Sequence, residues 1–187
     1  MYDFDFDLET NGIVLQESEK PLRREIRPVY CHELDMLGLK DRWRYSSDDS
    51  APLMWAINQF YFYKGRKVMK TQGGSCHSAP AVTVLEEPEP AGVLLQMCDI
   101  AGMNARNRPL LDRLQEQSIE FTQKVYSDYK DRADVFYVAF SGGKDSIATL
   151  DVVQRALPHN AFKVVFGDTQ MEFPDTYKLV DTVEASC

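Results

Sequence analysis

The segment that most constrains the fold is an apolar run of strand length followed at once by a glycine-rich loop. Residues 134–140, Asp-Val-Phe-Tyr-Val-Ala-Phe, have the pattern of a strand covered on both faces in a parallel sheet. The loop 141–146 follows, and apolar residues at helical spacing then predict a helix that stops at Pro158. A second apolar run, 161–166, predicts a second buried strand. Strand, loop, helix and strand together predict a βαβ unit.

Apolar residues also recur every three to four positions ahead of the first strand, between residues 107 and 130. This spacing predicts an amphipathic helix, with Pro109 in its first turn. Two strands and two helices do not make a self-sufficient doubly wound sheet, because each strand needs cover on both faces. We therefore expect residues 105–187 to be the N-terminal part of a longer, truncated domain, whose strand 161–166 offers an edge for self-association.

Residues 1–100 have a different pattern, with five short β-type runs separated by turn signals, which predicts a small β-rich or α+β module. Residues 60–63 and 66–70 predict a hairpin around the turn Lys64-Gly65. The acidic, proline-rich stretch 86–90 is the most linker-like segment of the chain. The fold class predicted for the whole chain is α/β, with this module ahead of a partial doubly wound parallel sheet.

Aromatic and basic residues alternate in part of this module, between Arg42 and Lys67. They suit either of two roles: filling the core of a small β module, or forming a stacking platform for single-stranded nucleic acid. Packing is the favoured interpretation, because strands alternate between core and solvent. The net charge of −8 gives no general attraction to nucleic acid or anionic lipid, although a local patch is compatible with nucleic acid.

The chain has no apolar run long enough to cross a membrane, and its N-terminus lacks the features of a signal peptide, so we expect a cytoplasmic protein. Its four cysteines are too scattered for a disulfide framework and are expected to be reduced thiols: Cys31, Cys76, Cys98 and Cys187. The dipeptides Cys31-His32 and Cys76-His77 resemble half-sites for zinc. Adjacent side chains on a strand point in opposite directions, however, so no zinc site is predicted.

The glycine-rich loop predicts an anion site. Two glycines allow a tight turn with outward N–H groups, and the following helix N-terminus adds a partial positive charge. Phosphate is the natural occupant. A Walker loop is disfavoured, because Asp145 follows Lys144 and Val138 stands where that motif needs its first glycine.

Ser141-Gly142-Gly143-Lys144-Asp145-Ser146, placed after a buried strand, resembles the PP-loop of the ATP pyrophosphatases, the adenine nucleotide alpha-hydrolase-like superfamily. Asp168-Thr169 and then Phe173-Pro174-Asp175-Thr176-Tyr177 resemble the Asp-Thr-Gly and Phe-Pro-Glu-Thr-Tyr signature of the phosphoadenosine phosphosulfate reductase family. The sequence departs from that pattern at Gln170, where the family has glycine, and at Asp175, where it has glutamate. We expect Phe173 and Tyr177 to be core residues of the last helix.

The resemblance implies a role for each matching residue. The phosphates of ATP or a related adenine nucleotide would lie on the loop residues Ser141, Gly142, Gly143, Lys144, Asp145 and Ser146. Asp168 and Thr169 would lie beside the nucleotide, at the carboxyl end of the second strand. Lys144 and Asp145 would act in catalysis, Lys144 by offsetting charge on leaving pyrophosphate and Asp145 as a ligand of Mg²⁺.

Three functions are consistent with these motifs. The first is an enzyme that cleaves ATP between its α and β phosphates and transfers AMP to an acceptor that the sequence does not identify. The second is a sulfonucleotide reductase, whose catalytic cysteine lies in a C-terminal Glu-Cys-Gly-Leu-His motif that this chain lacks. The third is a non-catalytic nucleotide-binding module with a nucleic-acid or protein partner. For the two enzymes, we expect this chain alone to be inactive.

Overall fold

The computed structural model describes residues 2–20, 25–75 and 78–186 of the chain. These residues form a mixed α/β fold, in which three separate sheets are described. The chain divides into two compact units, Met1–Leu110 and Leu111–Cys187.

The first unit is built around an antiparallel sheet. Its elements are β1 (Tyr2–Asp7), β2 (Gly12–Glu17), β3 (Ile26–Val29), α1 (Cys31–Met36), β4 (Met54–Ile57), β5 (Phe60–Tyr63), β6 (Arg66–Gln72), β7 (Ala81–Val84) and the first turns of α2 (Ile100–Tyr129). β1 and β2 form a hairpin of their own. β3 to β7 form a five-stranded sheet in chain order. The five predicted β-type runs fall on β2, β3, β5, β6 and β7, whereas β1, β4 and α1 were not predicted.

The predicted hairpin is confirmed. Tyr63 at the end of β5 pairs with Arg66 at the start of β6. Between them Lys64 and Gly65 both have positive φ, 45° and 73°. Two positive φ values give the turn a twist that matches the right-handed twist of the flanking strands, and this is why a glycine is found there.

One face of the five-stranded sheet carries the main core of this unit. Alternate residues of β5, Tyr61 and Tyr63, point into it, together with Val68 and Met69 of β6. The helix α1 contributes Leu34. All four residues of β4 are buried, so this strand lacks the alternation by which strands are recognised in a sequence.

The acidic stretch 86–90 is not a linker, and that prediction was wrong. Glu86 pairs with Arg66 and Glu87 with Arg42, while Glu89 lies 3.0 Å from the ammonium of Lys64. Pro88 between them is fully buried. Each glutamate therefore pairs with a basic side chain of the same unit. These ion pairs attach the segment to the unit, although its composition is typical of a solvent-exposed linker.

The second unit contains the βαβ arrangement. Its elements are the remainder of α2, β8 (Tyr137–Phe140), α3 (Lys144–Ala156), a 3₁₀ helix (His159–Ala161), β9 (Lys163–Phe166) and α4 (Pro174–Ser186). β8 and β9 pair in parallel, from Tyr137 opposite Lys163 to Phe140 opposite Phe166. Both strands are shorter than the apolar runs that predicted them. The sheet that they form has two strands among the described residues, which is too few to show a doubly wound arrangement. The doubly wound sheet therefore stays a prediction.

Two further expectations were wrong. The helix predicted between residues 107 and 130 is present as α2, but it begins at Ile100, so Pro109 lies inside it and not in its first turn. The Asp99 carboxylate accepts a hydrogen bond from the Gly102 N–H at 2.9 Å and so caps the earlier start. The strands are also not covered on both faces within the described residues: Val138 and Phe140 are buried, but Tyr137 is 64% and Val165 49% exposed.

The cysteine predictions concern residues that the structure describes only in part. Cys31 is buried and its thiol faces the Ser47 carbonyl, whereas the neighbouring His32 is exposed beside Asp49. Cys76-His77 lies outside the described residues. Within residues 2–20, 25–75 and 78–186, no group of three potential metal ligands comes together, and no helix is both long and apolar enough to cross a membrane.

Asn11, in the turn between β1 and β2, joins the hairpin to the rest of the first unit. Its side-chain amide donates hydrogen bonds to the carbonyls of Leu53 and Gln96, both at 2.9 Å. Its side-chain oxygen accepts the N–H of Lys64 at 2.9 Å, and its own carbonyl accepts the indole N–H of Trp55 at 2.8 Å. The residue is fully buried and has a φ of 51°.

Replacing Asn11 with alanine is expected to lower the free energy of unfolding of the first unit by about 3 kcal/mol or more, because three side-chain hydrogen bonds are lost and their buried partners stay unpaired. Asn58→Ala is the control, since Asn58 has a similar φ of 53° but is exposed. It should cost about 1 kcal/mol, from backbone strain alone. Urea unfolding measures both, and equal losses would contradict the role of the buried amide.

Candidate phosphate-binding site

The candidate site lies at the carboxyl ends of β8 and β9. The last paired residues of the two strands, Phe140 and Phe166, stand opposite each other. Because the strands are parallel, the loop 141–146 and the segment 167–169 leave the sheet at the same edge. In open α/β sheets this is the edge at which ligands bind.

Gly142 is required in the loop for two separate reasons. Its φ of 75° is in the left-handed region that side chains disfavour. A Cβ atom at this position would also lie 3.0 Å from the Cγ2 atom of Thr176 in α4. A side chain at this position would therefore be strained, and Thr176 would have to shift by a few tenths of an ångström to admit it.

The two serines of the loop close it on itself. The Ser146 hydroxyl donates to the Gly143 carbonyl at 2.9 Å and accepts the Ser141 N–H at 3.2 Å. The Ser141 hydroxyl lies 3.3 Å from the Ser146 hydroxyl. Ser146 thus joins both ends of the turn.

Gly143 has extended dihedrals and immediately precedes α3, a helix of 13 residues. The first intrahelical hydrogen bond is donated by the Ile147 N–H to the Gly143 carbonyl, at 3.1 Å. The N–H groups of the first turn precede that bond and so have no partner within the helix. Together with the helix dipole they favour an anion at this end.

Lys144 and Asp145 form an ion pair at the mouth of the loop. Their charged atoms lie 2.9 Å apart, and their side chains are 89% and 91% exposed. A pair as exposed as this contributes little to stability. Both charges can therefore be redirected to a ligand at little cost.

Asp168, the first residue of the second motif, is held by two hydrogen bonds. One oxygen of its carboxylate accepts the Tyr177 hydroxyl and the Gln170 N–H, each at 2.7 Å. The Tyr177 hydrogen bond, followed by that of Gln170, lowers the pKa of Asp168 below its usual value. The carboxylate is therefore ionised and oriented.

Gln170, where the related family has glycine, adopts a φ of 61°. This departure does not abolish the turn, because the Asp168 carboxylate holds the Gln170 N–H. The neighbouring Thr169 donates its hydroxyl to Glu172 at 2.9 Å. The positive φ gives a physical reason for the family's preference for glycine.

The structure thus brings every residue of the two motifs to one edge of the sheet. It contradicts the expectation that Phe173 and Tyr177 are core residues, since Phe173 is 81% exposed and Tyr177 is only half-buried. Sequence reasoning did not find the roles of Thr176 and Tyr177, which contact Gly142 and Asp168 respectively. Their position in the second motif indicated that both residues belong to the site. It did not indicate which residue each of them contacts.

Comparison with known proteins supports the resemblance for this part of the chain. Residues 135–187 match the family model of the phosphoadenosine phosphosulfate reductase domain, which belongs to the PP-loop, adenine nucleotide alpha-hydrolase-like superfamily. The chain is also similar to two uncharacterized proteins of Methanocaldococcus jannaschii. MJ0066 is 40% identical over 78 residues, which are 42% of this chain and 15% of the relative. MJ0973 is 29% identical over 75 residues, which are 40% of this chain and 18% of the relative.

The chain therefore aligns with less than a fifth of the length of each of these curated relatives. No solved structure matches it. The resemblance to the reductase family is confirmed for residues 135–187, which include both motifs.

Tyr177→Phe is expected to raise the pKa of Asp168 towards its ordinary value, because the hydroxyl that donates to the carboxylate is removed. In the wild type the hydrogen bonds stabilise the fold above the pKa of Asp168 in the unfolded chain, and this contribution is lost as the pH falls through the lower pKa of the folded protein. A carbon-13 NMR titration of the Asp168 carboxyl measures the shift. Tyr137→Phe, which removes an exposed hydroxyl from β8, should leave this pKa unchanged; a shift of the same size in both variants would contradict the assignment.

Gln170→Gly is expected to stabilise the second unit by about 1 kcal/mol, because glycine adopts a positive φ without strain. Gln117→Gly, the same replacement at an exposed position inside α2, should instead destabilise it by about 1 kcal/mol. Urea unfolding followed through the amide signals of α4 gives both values. Destabilisation by both changes would show that the turn at Gln170 is not strained.

Proposed function

We propose that the second unit binds an adenine nucleotide, with its phosphates on the backbone of residues 142–146. The observation that carries the proposal is the left-handed turn at Gly142, which opens directly into α3 at the carboxyl edge of a parallel sheet. Outward N–H groups and a helix N-terminus favour an anion of high charge. The match of residues 135–187 to the phosphoadenosine phosphosulfate reductase domain supports a nucleotide rather than inorganic phosphate.

Lys144 and Asp145 have complementary roles in this proposal. The exposed Lys144 ammonium turns towards the phosphates and offsets their charge. The Asp145 carboxylate, released from that ion pair, is placed to hold Mg²⁺ on the phosphates. Such a site suits a Mg²⁺ ion that is bound together with the nucleotide, because Mg²⁺ is usually held by one or two carboxylates, phosphate oxygens and water. No resident cluster of metal ligands is needed, and the described residues contain none.

Asp168 and Thr169 would bind the nucleoside end. The Asp168 carboxylate is exposed and oriented by Tyr177, so its second oxygen can accept a hydroxyl or amino group of the ligand. Because this carboxylate is ionised, it would repel a phosphate and so favours the neutral part of the nucleotide. The loop and the second motif would thus bind opposite ends of one molecule.

For a longer protein that contains this unit, we propose adenylyl transfer. An acceptor group attacks the α-phosphorus of ATP, the new bond to AMP forms, and the bond between that phosphorus and the bridging oxygen breaks. Pyrophosphate leaves with the electron pair of that bond, next to Lys144. In this reaction the loop holds the leaving group, so its contacts grow stronger as charge develops there.

A sulfonucleotide reductase is the second candidate, favoured by the match of residues 135–187 to the phosphoadenosine phosphosulfate reductase domain. That reaction needs a cysteine thiolate. Residues 111–187 contain one cysteine, Cys187, which lies outside the described residues. Comparing the dissociation constants of ATP and of phosphoadenosine phosphosulfate for this chain tests the choice, and tighter binding of the sulfonucleotide would favour the reductase. Pyrophosphate release from ATP by the longer protein then separates adenylyl transfer from binding without catalysis.

Lys144→Ala is expected to weaken binding of ATP by about tenfold or more and to leave binding of adenosine unchanged, because the lysine meets only the phosphates. Isothermal titration calorimetry of the 187-residue chain measures both affinities. The control is Lys124→Ala, which removes an exposed lysine that is paired with Asp128 on α2.

The control should leave both affinities unchanged. Equal losses for ATP and adenosine in Lys144→Ala would contradict the phosphate assignment. So would an equal effect of the two lysine variants on ATP, since it would indicate a general effect of charge.

A further inference from the structure

The second face of the five-stranded sheet carries a basic and aromatic surface in the first unit. We call part of it the open face; this part consists of Phe60, Phe62, Lys67, Lys70 and Thr83, whereas Trp55 and Ile57 of β4 lie on the same side of the sheet and are buried. Strand register places these residues together, since Phe60 pairs with Lys70, Phe62 with Lys67, and Lys70 with Thr83. Residues that pair across antiparallel strands have side chains on the same face.

The two phenylalanines are not part of the main core. β5 alternates, so that Tyr61 and Tyr63 are buried in the core whereas Phe60 and Phe62 point to the other side and are only half-buried. Phe62 stacks on Phe6 of β1, with ring centroids 4.9 Å apart and planes inclined by 22°. Phe60 lies two residues before Phe62 on the same side of the strand and is half-buried as well.

Lys67 covers the outermost ring. Its ammonium lies 4.2 Å from the centre of the Phe60 ring and 6.0 Å from that of Phe62. The ammonium thus occupies the position over Phe60 that a stacked base would take. Since Lys67 is exposed, its long side chain can leave the ring and keep its charge close by.

The lysine and arginine side chains around the open face are not balanced by acidic residues of the same strands. Residues 50–85 contain four basic residues and no acidic residue. Two of them, Lys64 and Arg66, are paired with Glu89 and Glu86. Lys67 and Lys70 make no ion pair with any residue that the structure describes. The open face therefore keeps two positive charges beside aromatic rings, in a chain whose net charge is −8.

We propose that the open face binds single-stranded nucleic acid. A base stacks on Phe60, beside the Phe62 ring, while Lys67 and Lys70 meet the flanking phosphates and the exposed Thr83 hydroxyl offers a further hydrogen bond. Stacking rings with lysines at their edge recognise single strands, because bases in a duplex are already stacked on each other. An anionic lipid surface is a poorer fit, since half-buried rings within a sheet do not protrude into a bilayer.

Fluorescence anisotropy of a fluorescein-labelled oligonucleotide of twelve thymidines, titrated with the whole chain, tests the proposal. Phe60→Ala is expected to weaken binding about 5- to 150-fold, the range found when a base-stacking aromatic residue is truncated. Phe60→Leu keeps an apolar side chain of similar volume and should lose most of the same affinity, because it removes the flat ring. Circular dichroism melting establishes that each variant is folded.

The lysines are tested through salt dependence, which needs no change in the apolar side chains. Lys67→Gln and Lys70→Gln should each reduce the slope of log affinity against log salt by about 0.7, the amount for one phosphate contact with a single strand. Lys40→Gln is the control: Lys40 is exposed and follows α1, which packs on the core face of the sheet. It should leave the slope unchanged.

Several outcomes would overturn the proposal. They are equal binding by the wild type and a folded Phe60→Ala variant, equal slopes for Lys67→Gln and Lys40→Gln, or binding of dextran sulfate as tight as that of the oligonucleotide. Preferential binding to vesicles with anionic lipid would assign the surface to a membrane instead. If Phe60→Ala fails to fold, the salt slopes of the lysine variants decide. Lys124→Ala, a change at an exposed lysine of the second unit outside both proposed sites, should bind the oligonucleotide as the wild type does.

Discussion

The parallel pairing of β8 with β9 is the constraint on which the candidate site depends. With Phe140 opposite Phe166, two chain segments more than twenty residues apart leave the sheet side by side. One is a glycine-rich turn that opens a helix, and the other carries the ionised carboxylate of Asp168. A shift of this register by one residue would turn the side chains of β9 to the opposite face and separate the two motifs. Val164 and Phe166 of β9, which pack against the core of this unit, oppose such a shift.

Around this pairing the site is held by contacts of short range. Gly142 lies against Thr176 of α4, and Tyr177 of the same helix holds Asp168. The start of α4 therefore fixes both halves of the site. This explains why the second motif extends beyond Asp168 and Thr169 into a helix. Two residues of that helix, Thr176 and Tyr177, position Gly142 of the proposed phosphate site and Asp168 of the proposed nucleoside site.

The sequence predicted those parts of the structure whose cause is local. The apolar runs indicated β8 and β9, and the turn Lys64-Gly65 indicated a hairpin, because positive φ and strand alternation are properties of a few neighbouring residues. It did not predict contacts made at a distance. In the sequence Asn11 has the pattern of an ordinary turn residue, because the groups that bond its amide lie far away along the chain. The segment 86–90 has the composition of a linker, because the basic side chains that pair with its glutamates are also distant in sequence. The residues of the site were predicted from the order of the two motifs along the chain. The hydrogen bond between Tyr177 and Asp168 was not predicted, because it depends on where the fold places α4.

The central claim is that the backbone at the start of α3 holds phosphate. It is tested most directly by titrating the nitrogen-15-labelled chain with inorganic pyrophosphate, which has no base or ribose, and by following the amide signals in two-dimensional NMR spectra. The account predicts that the largest shifts occur at the amides of residues 142–146. Largest shifts elsewhere, or small shifts spread over exposed lysines throughout the chain, would contradict it.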